Sequence, residues 1–138
     1  MKEKSNQEAT SSKVKLWTGR VLRVVCILFL LFDSLTKVVR ATASVEGTAN
    51  LGFSDSLVQP LGFIILAFTI LYCIPRTAVF GAVLLTAHLG GAVAIFIQQF
   101  HDSLGFLFPL IFCVVLWAGL FLQDERLRSI VPVRKREI

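Results

Sequence analysis

Asp33 and Lys37 stand four residues apart in a stretch that is otherwise uncharged from Val24 to Val39. On a helix that spacing places them on one face, acid first, the favourable order for an ion pair. Arg40 follows at about the same angle. Charges in so oily a stretch must pair or face water. Two chemistries fit. The pair could form the polar end of a pocket that holds a ligand headgroup or moves a proton. It could also fix helix register, with Lys37 and Arg40 reaching toward an interface.

His88 is the second focus. It sits among Thr86, Ala87, Leu89 and Gly90, in the middle of another apolar run. A lone histidine there is either a neutral, hydrogen-bonded core residue or a ligand contact. If the first helix is centred near Leu28, Asp33 lies about 7 Å outward of its midpoint at the helical rise. The helix carrying His88 should run in the same direction, so Asp33 sits one to two turns outward of it. Direct contact is not expected, but a water or a ligand could join them. Asp33, Lys37 and His88 are therefore the candidate ligand-binding residues.

Other chemistry finds little support. Phosphate-binding glycine loops, HExxH and GxSxG are absent. His88 and His101 are too few and too separated for a metal cage, so no metal site is expected. Cys26, Cys73 and Cys113 each lie in an apolar run without CxxC or zinc-type spacing, and read as small buried hydrophobes. A redox pair would need two of them to meet in the packed protein. Twelve phenylalanines are many for 138 residues. Phe100, Phe106 and Phe108, with Phe32 and Phe53, gather near one end of the expected helices, as packing or as the wall of a quinone site.

These residues must be positioned by elements built for lipid. The chain is 55% hydrophobic with a mean hydropathy of +0.75, and its charges are segregated into islands. That pattern suits a bilayer, where a central charge costs at least about 2.5 kcal/mol. The reading is an all-α, four-helix transmembrane bundle, with helices at about 21–39, 57–74, 78–97 and 105–122. The first would span about 28 Å, close to one bilayer core. Pro60 and Pro109 fall near helix starts, where a missing N–H does no harm. Pro75-Arg76-Thr77 is a turn so short that the second and third helices must be antiparallel neighbours. The third helix is rich in small residues. Gly81, Ala87, Gly90, Gly91 and Ala94 are expected to pack it closely against a neighbour.

Residues 1–15 read as a disordered cytoplasmic tail, 16–128 as the transmembrane domain and 129–138 as a basic cytoplasmic tail. Lysines and arginines collect before the first helix, at Arg76 and after Gln123, while the other two loops hold none past Arg40. The positive-inside rule then places both termini in the cytoplasm. Basic residues followed by Val24–Phe32 and Ala41-Thr42-Ala43 suggest a signal peptide, but Asp33, Lys37 and Arg40 interrupt the expected pattern. The net charge of +5 fits anionic headgroups rather than nucleic acid.

The chain resembles the DoxX-like family of small four-helix bacterial membrane proteins over about Leu22 to Arg128. Lys37 late in the first helix, the Ile74–Ala92 stretch IPRTAVFGAVLLTAHLGGA, Leu51-Gly52-Phe53 and the closing LQDERLR carry the resemblance. Lys37, His88, Gly90 and Gly91 sit on matching positions, whereas the family often has a small residue where Asp33 stands. The resemblance to a bacterial family implies an inner-membrane location. It also implies a link to thiosulfate:quinone oxidoreduction or to membrane redox complexes, and so a quinone between helices and a redox protein partner or homo-oligomer. A non-enzymatic membrane scaffold is the alternative. A small proton-linked transporter is disfavoured, because four short spans leave little room for alternating access.

Overall fold

The computed structural model describes residues 1–130. They form α1 (Lys2–Val38), α2 (Thr42–Asn50), α3 (Val58–Cys73), α4 (Ala78–Gln99), α5 (Leu107–Gln123) and α6 (Glu125–Ile130). Single 3-10 turns at Asp55–Leu57 and Leu104–Phe106 lead into α3 and α5. Most of the basic tail expected at 129–138, including Arg134, Lys135 and Arg136, lies outside the described residues.

The local sequence explains where the helices stop. Ile74 is extended (ψ 122), as a residue before proline prefers, so Pro75 ends α3. The end of α1 is a six-to-one turn without glycine. The Ala41 N–H donates to the Thr36 carbonyl at 2.8 Å and the Arg40 N–H to the Lys37 carbonyl at 3.1 Å. Arg40 takes the left-handed conformation at φ 56, a position where glycine would be unstrained. An ion pair from Arg40 to Asp55 ties this turn to the start of α3.

Four helices form the body. α1 packs on α3 and α5, and α4 packs on the same two, while α1 and α4 do not pack on each other among the described residues. The helices alternate in direction. Gly62 lies against Lys37 at one end of α3, and Tyr72 meets Arg23 at the other. The core runs through Cys26, Leu30, Ile65, Tyr72, Leu85, Leu116 and Leu120. Outside it, Phe32, Phe63, Phe80 and Val114 are exposed, an arrangement costly in water but natural in lipid.

Asp55–Cys73, Ala78–Gln99 and Leu104–Gln123 are long and apolar enough to cross a membrane. The stretch of α1 beside them carries Arg23, Asp33 and Lys37, too many charges to qualify on hydropathy alone.

Three local expectations differ from the structure. Within the tail expected to be disordered at 1–15, residues 2–15 instead continue α1 back to Lys2. Their Lys, Glu, Gln and Ala content favours helix, and a helix already nucleated in the body extends cheaply. The connection after α1 contains α2, with Thr48 buried on the body. The third difference concerns the glycines. Gly81 does pack as expected: a Cβ there would collide with the Tyr72 backbone. At Gly90 and Gly91 an added Cβ would meet nothing within 4 Å, and Ala87 and Ala94 are exposed. The close approaches lie instead at Gly62, where a Cβ would sit 2.8 Å from the Lys37 Cβ, and at Gly19, 2.8 Å from the Leu122 Cβ.

Candidate functional site

Because the backbones of α1 and α4 do not pack closely on each other, a space opens between them toward the end that carries α2. It is a cavity of about 430 Å³, within the size range of small-molecule sites. Asp33 and Lys37 line it from α1, and His88, Gly91 and Ala92 from α4. The three residues singled out from the sequence thus share one cavity, and they face each other across it. Gly91 and Ala87, expected as packing residues, line the same space. Their small side chains leave volume rather than filling it.

Lys37 and Asp33 form the expected ion pair along α1. Its surroundings are half-buried: the Lys37 side chain is 16% exposed and that of Asp33 34%. Lys37 is pinned from behind, since α3 crosses its base at Gly62. Ser34, one turn back from Val38, is fully buried and donates to the Leu31 carbonyl at 3.0 Å. The ammonium is therefore held at the cavity wall by packing on one side and by its carboxylate on the other.

Aromatic rings shape the rest. Phe29 of α1 meets Phe112 and Phe108 of α5 at centroid separations of 4.9 and 5.5 Å. All three line the cavity, with Phe53 and Phe96. This cluster differs from the one expected from the sequence. Phe29 and Phe112 were not singled out there, and Phe106 does not line the cavity. The arrangement offers a largely apolar space bordered at one side by an ammonium and a carboxylate, with an imidazole on the α4 side.

Two polar ties hold the walls and were not visible in sequence spacing. On the α4–α5 side, the Trp117 Nε1–H donates to Thr86 Oγ1 at 2.7 Å, with the Cys113 thiol 3.8 Å from the same oxygen. At the far end of the body, the Arg23 guanidinium donates to the Tyr72 carbonyl at 2.6 Å and to Gln123 Oε1 at 3.2 Å. The Tyr72 hydroxyl in turn donates to the Leu116 carbonyl at 2.8 Å. A cation at a helix C-terminus is favoured by the exposed carbonyls there, and Arg23 serves α3 in that way. The three cysteines are free thiols, with Cys26 buried and Cys73 exposed.

An all-helical body with three strongly apolar helices and charges folded inward defines a multi-pass membrane protein. The model of the DoxX-like family matches residues 21–119, and the chain belongs to that family. The match takes in the whole α1–α4 cavity wall and Arg23. No curated protein and no solved structure shows a significant match.

Proposed function

We propose that the chain crosses the bilayer four times, with both termini cytoplasmic, and that the α1–α4 cavity holds a quinone-like ligand as part of a membrane redox assembly. The fourth crossing is supported by the fate of the α1 charges. Lys37 pairs with Asp33, and Arg23 is spent on the carbonyls of α3. The observation that carries the ligand reading is the shared cavity of Asp33, Lys37 and His88 beside the clustered rings of Phe29, Phe108 and Phe112. A quinone offers a flat ring for the aromatic wall and carbonyl oxygens for the Lys37 ammonium and an imidazole N–H of His88 to reach. Such a group supplies two-electron, two-proton chemistry when bound. The chain's own part is to hold and orient it and to keep water from its apolar face.

The test is mass spectrometry of small molecules released from gently purified protein. A co-purifying quinone, depleted in Lys37→Ala and His88→Ala while both variants remain folded, is the expected result. Finding no quinone, with those substitutions lowering thermal stability alone, would favour the second reading of a non-enzymatic scaffold. That reading draws on Gly90 and Ala94, which face outward at the spacing used by associating helices.

A further inference from the structure

The Asp33–Lys37 pair borders two cavities. Besides the space between α1 and α4, a second cavity of about 530 Å³ lies beneath α2, lined by Thr36, Ala43, Ser44, Gly47 and Asn50. The two share Asp33, Lys37, Thr48, Leu51 and Phe96 as lining residues. They therefore meet at the ion pair. Both are lined largely by apolar side chains. The outer one, beside Phe32, Phe96 and Phe100, also carries Ser44, Thr48 and Asn50 along α2 together with Thr36, enough polar partners to hold water.

The cover over the outer cavity is one-sided. α2 packs on α1, α3 and the turn before α3, but not on α4 among the described residues, so on that side the cavity is bounded only by Phe96 and Phe100. The opposite end of the body is sealed. Arg23 bonds to both α3 and α5, Gly119 brings the α5 backbone against Arg23, and Tyr72 and Leu116 have no exposure.

We infer that the body is a blind-ended cup with two chambers: an apolar inner chamber for the membrane-borne ligand, and an aqueous outer chamber under α2 through which water, protons and small polar solutes reach it. The Asp33–Lys37 pair stands at the boundary. Asp33 is placed to take a proton from a hydroxyl of the inner chamber's occupant; the electron pair of the broken O–H bond stays on that oxygen, as an oxyanion beside the Lys37 ammonium. Asp33 then passes the proton to a water of the outer chamber and returns to the carboxylate. No electrons move in this exchange. The inference rests on the ligand reading for the occupant of the inner chamber, but the route itself does not need the ligand.

Its test is thiol accessibility in intact cells. Cys73 and Cys113 are replaced by alanine, buried Cys26 is kept, and a single cysteine is placed by Ala92→Cys in the inner chamber or Ser44→Cys in the outer. A small cationic methanethiosulfonate, which does not cross the membrane and reacts with hydrated thiolates, is added outside. Both positions are expected to react, and Gly47→Trp, at an open position of α2, should slow Ala92→Cys at least about tenfold. Ile95→Cys serves as the second inner position should Ala92→Cys fold poorly. Reaction at Ser44→Cys with none at either inner cysteine overturns the route. So does inner labelling that Gly47→Trp leaves unchanged. Labelling without any co-purifying quinone leaves the route standing and removes the ligand reading. A bound quinone without labelling does the reverse.

Discussion

The guanidinium of Arg23 and the residue Tyr72 meet twice: the side chain donates to the Tyr72 carbonyl at 2.6 Å and lies over the Tyr72 ring, 5.2 Å from its centroid. One arginine thus closes the end of α3, reaches α5 through Gln123 and covers an aromatic face. Read from the sequence alone, Arg23 is one more basic residue before a membrane helix. In the fold it joins three helices.

Replacing it should be felt throughout the body. Arg23→Met removes charge-assisted bonds to buried acceptors and should cost about 2–3 kcal/mol. Arg23→Lys, which keeps the charge but not the planar fork, should recover only part. Thermal unfolding in detergent measures this, with exposed Arg20→Met as the control. An equal loss at Arg20 would remove the special role of Arg23.

The glycines of α4 should divide into two classes. Gly81→Ala forces a methyl into the Tyr72 backbone and should cost about 1–3 kcal/mol. Gly90→Ala meets nothing in the chain and gains helix propensity, so it should be neutral or stabilising by up to about 1 kcal/mol. The comparison is read from melting temperatures of the two variants in one detergent. Equal destabilisation would mean that Gly90 also lies in a packed interface.

Thr86→Val keeps the shape of the residue but strands the Trp117 Nε1–H. A loss of about 1 kcal/mol is expected. In a Trp17→Phe background, emission from Trp117 should shift as its N–H loses its partner. An unchanged spectrum together with unchanged stability would show that the bond contributes nothing.

Breaking the ion pair separates stability from ligand retention. Asp33→Asn leaves the Lys37 charge without its partner. Partial exposure of the pair limits the cost to about 1–2 kcal/mol. The double variant Asp33→Asn, Lys37→Met should regain stability yet hold less quinone than the parent. Calorimetry and extraction on the same preparations give both readouts. Full ligand retention in the double variant would take these residues out of the site.

The helical body was legible because lipid leaves a plain record in hydropathy. The stretches at Asp55–Cys73, Ala78–Gln99 and Leu104–Gln123 need no pairing information to be recognised. The site was legible in part, since ionisable residues in apolar helices are rare enough to mark themselves. What spacing could not give was the neighbour of each glycine. Gly81 and Gly90 look alike in sequence, but one meets a backbone and the other open space. The helix at Lys2–Ser12 left no periodic trace because no face of it is buried. Tyr72 and Trp117 were silent for a related reason: their partners, a carbonyl of α5 and a hydroxyl of α4, are distant along the chain.

The unbroken course of α1 has a geometric meaning. A helix from Lys2 to Val38 is about 55 Å long, well beyond the roughly 30 Å of a hydrocarbon core. Its far third carries the Asp33 wall, and among the described residues its near third packs on no other helix, sharing an open cavity with Glu125 and Arg128 of α6. The surplus length, polar and exposed throughout, must therefore stand beyond the hydrocarbon, among headgroups and water.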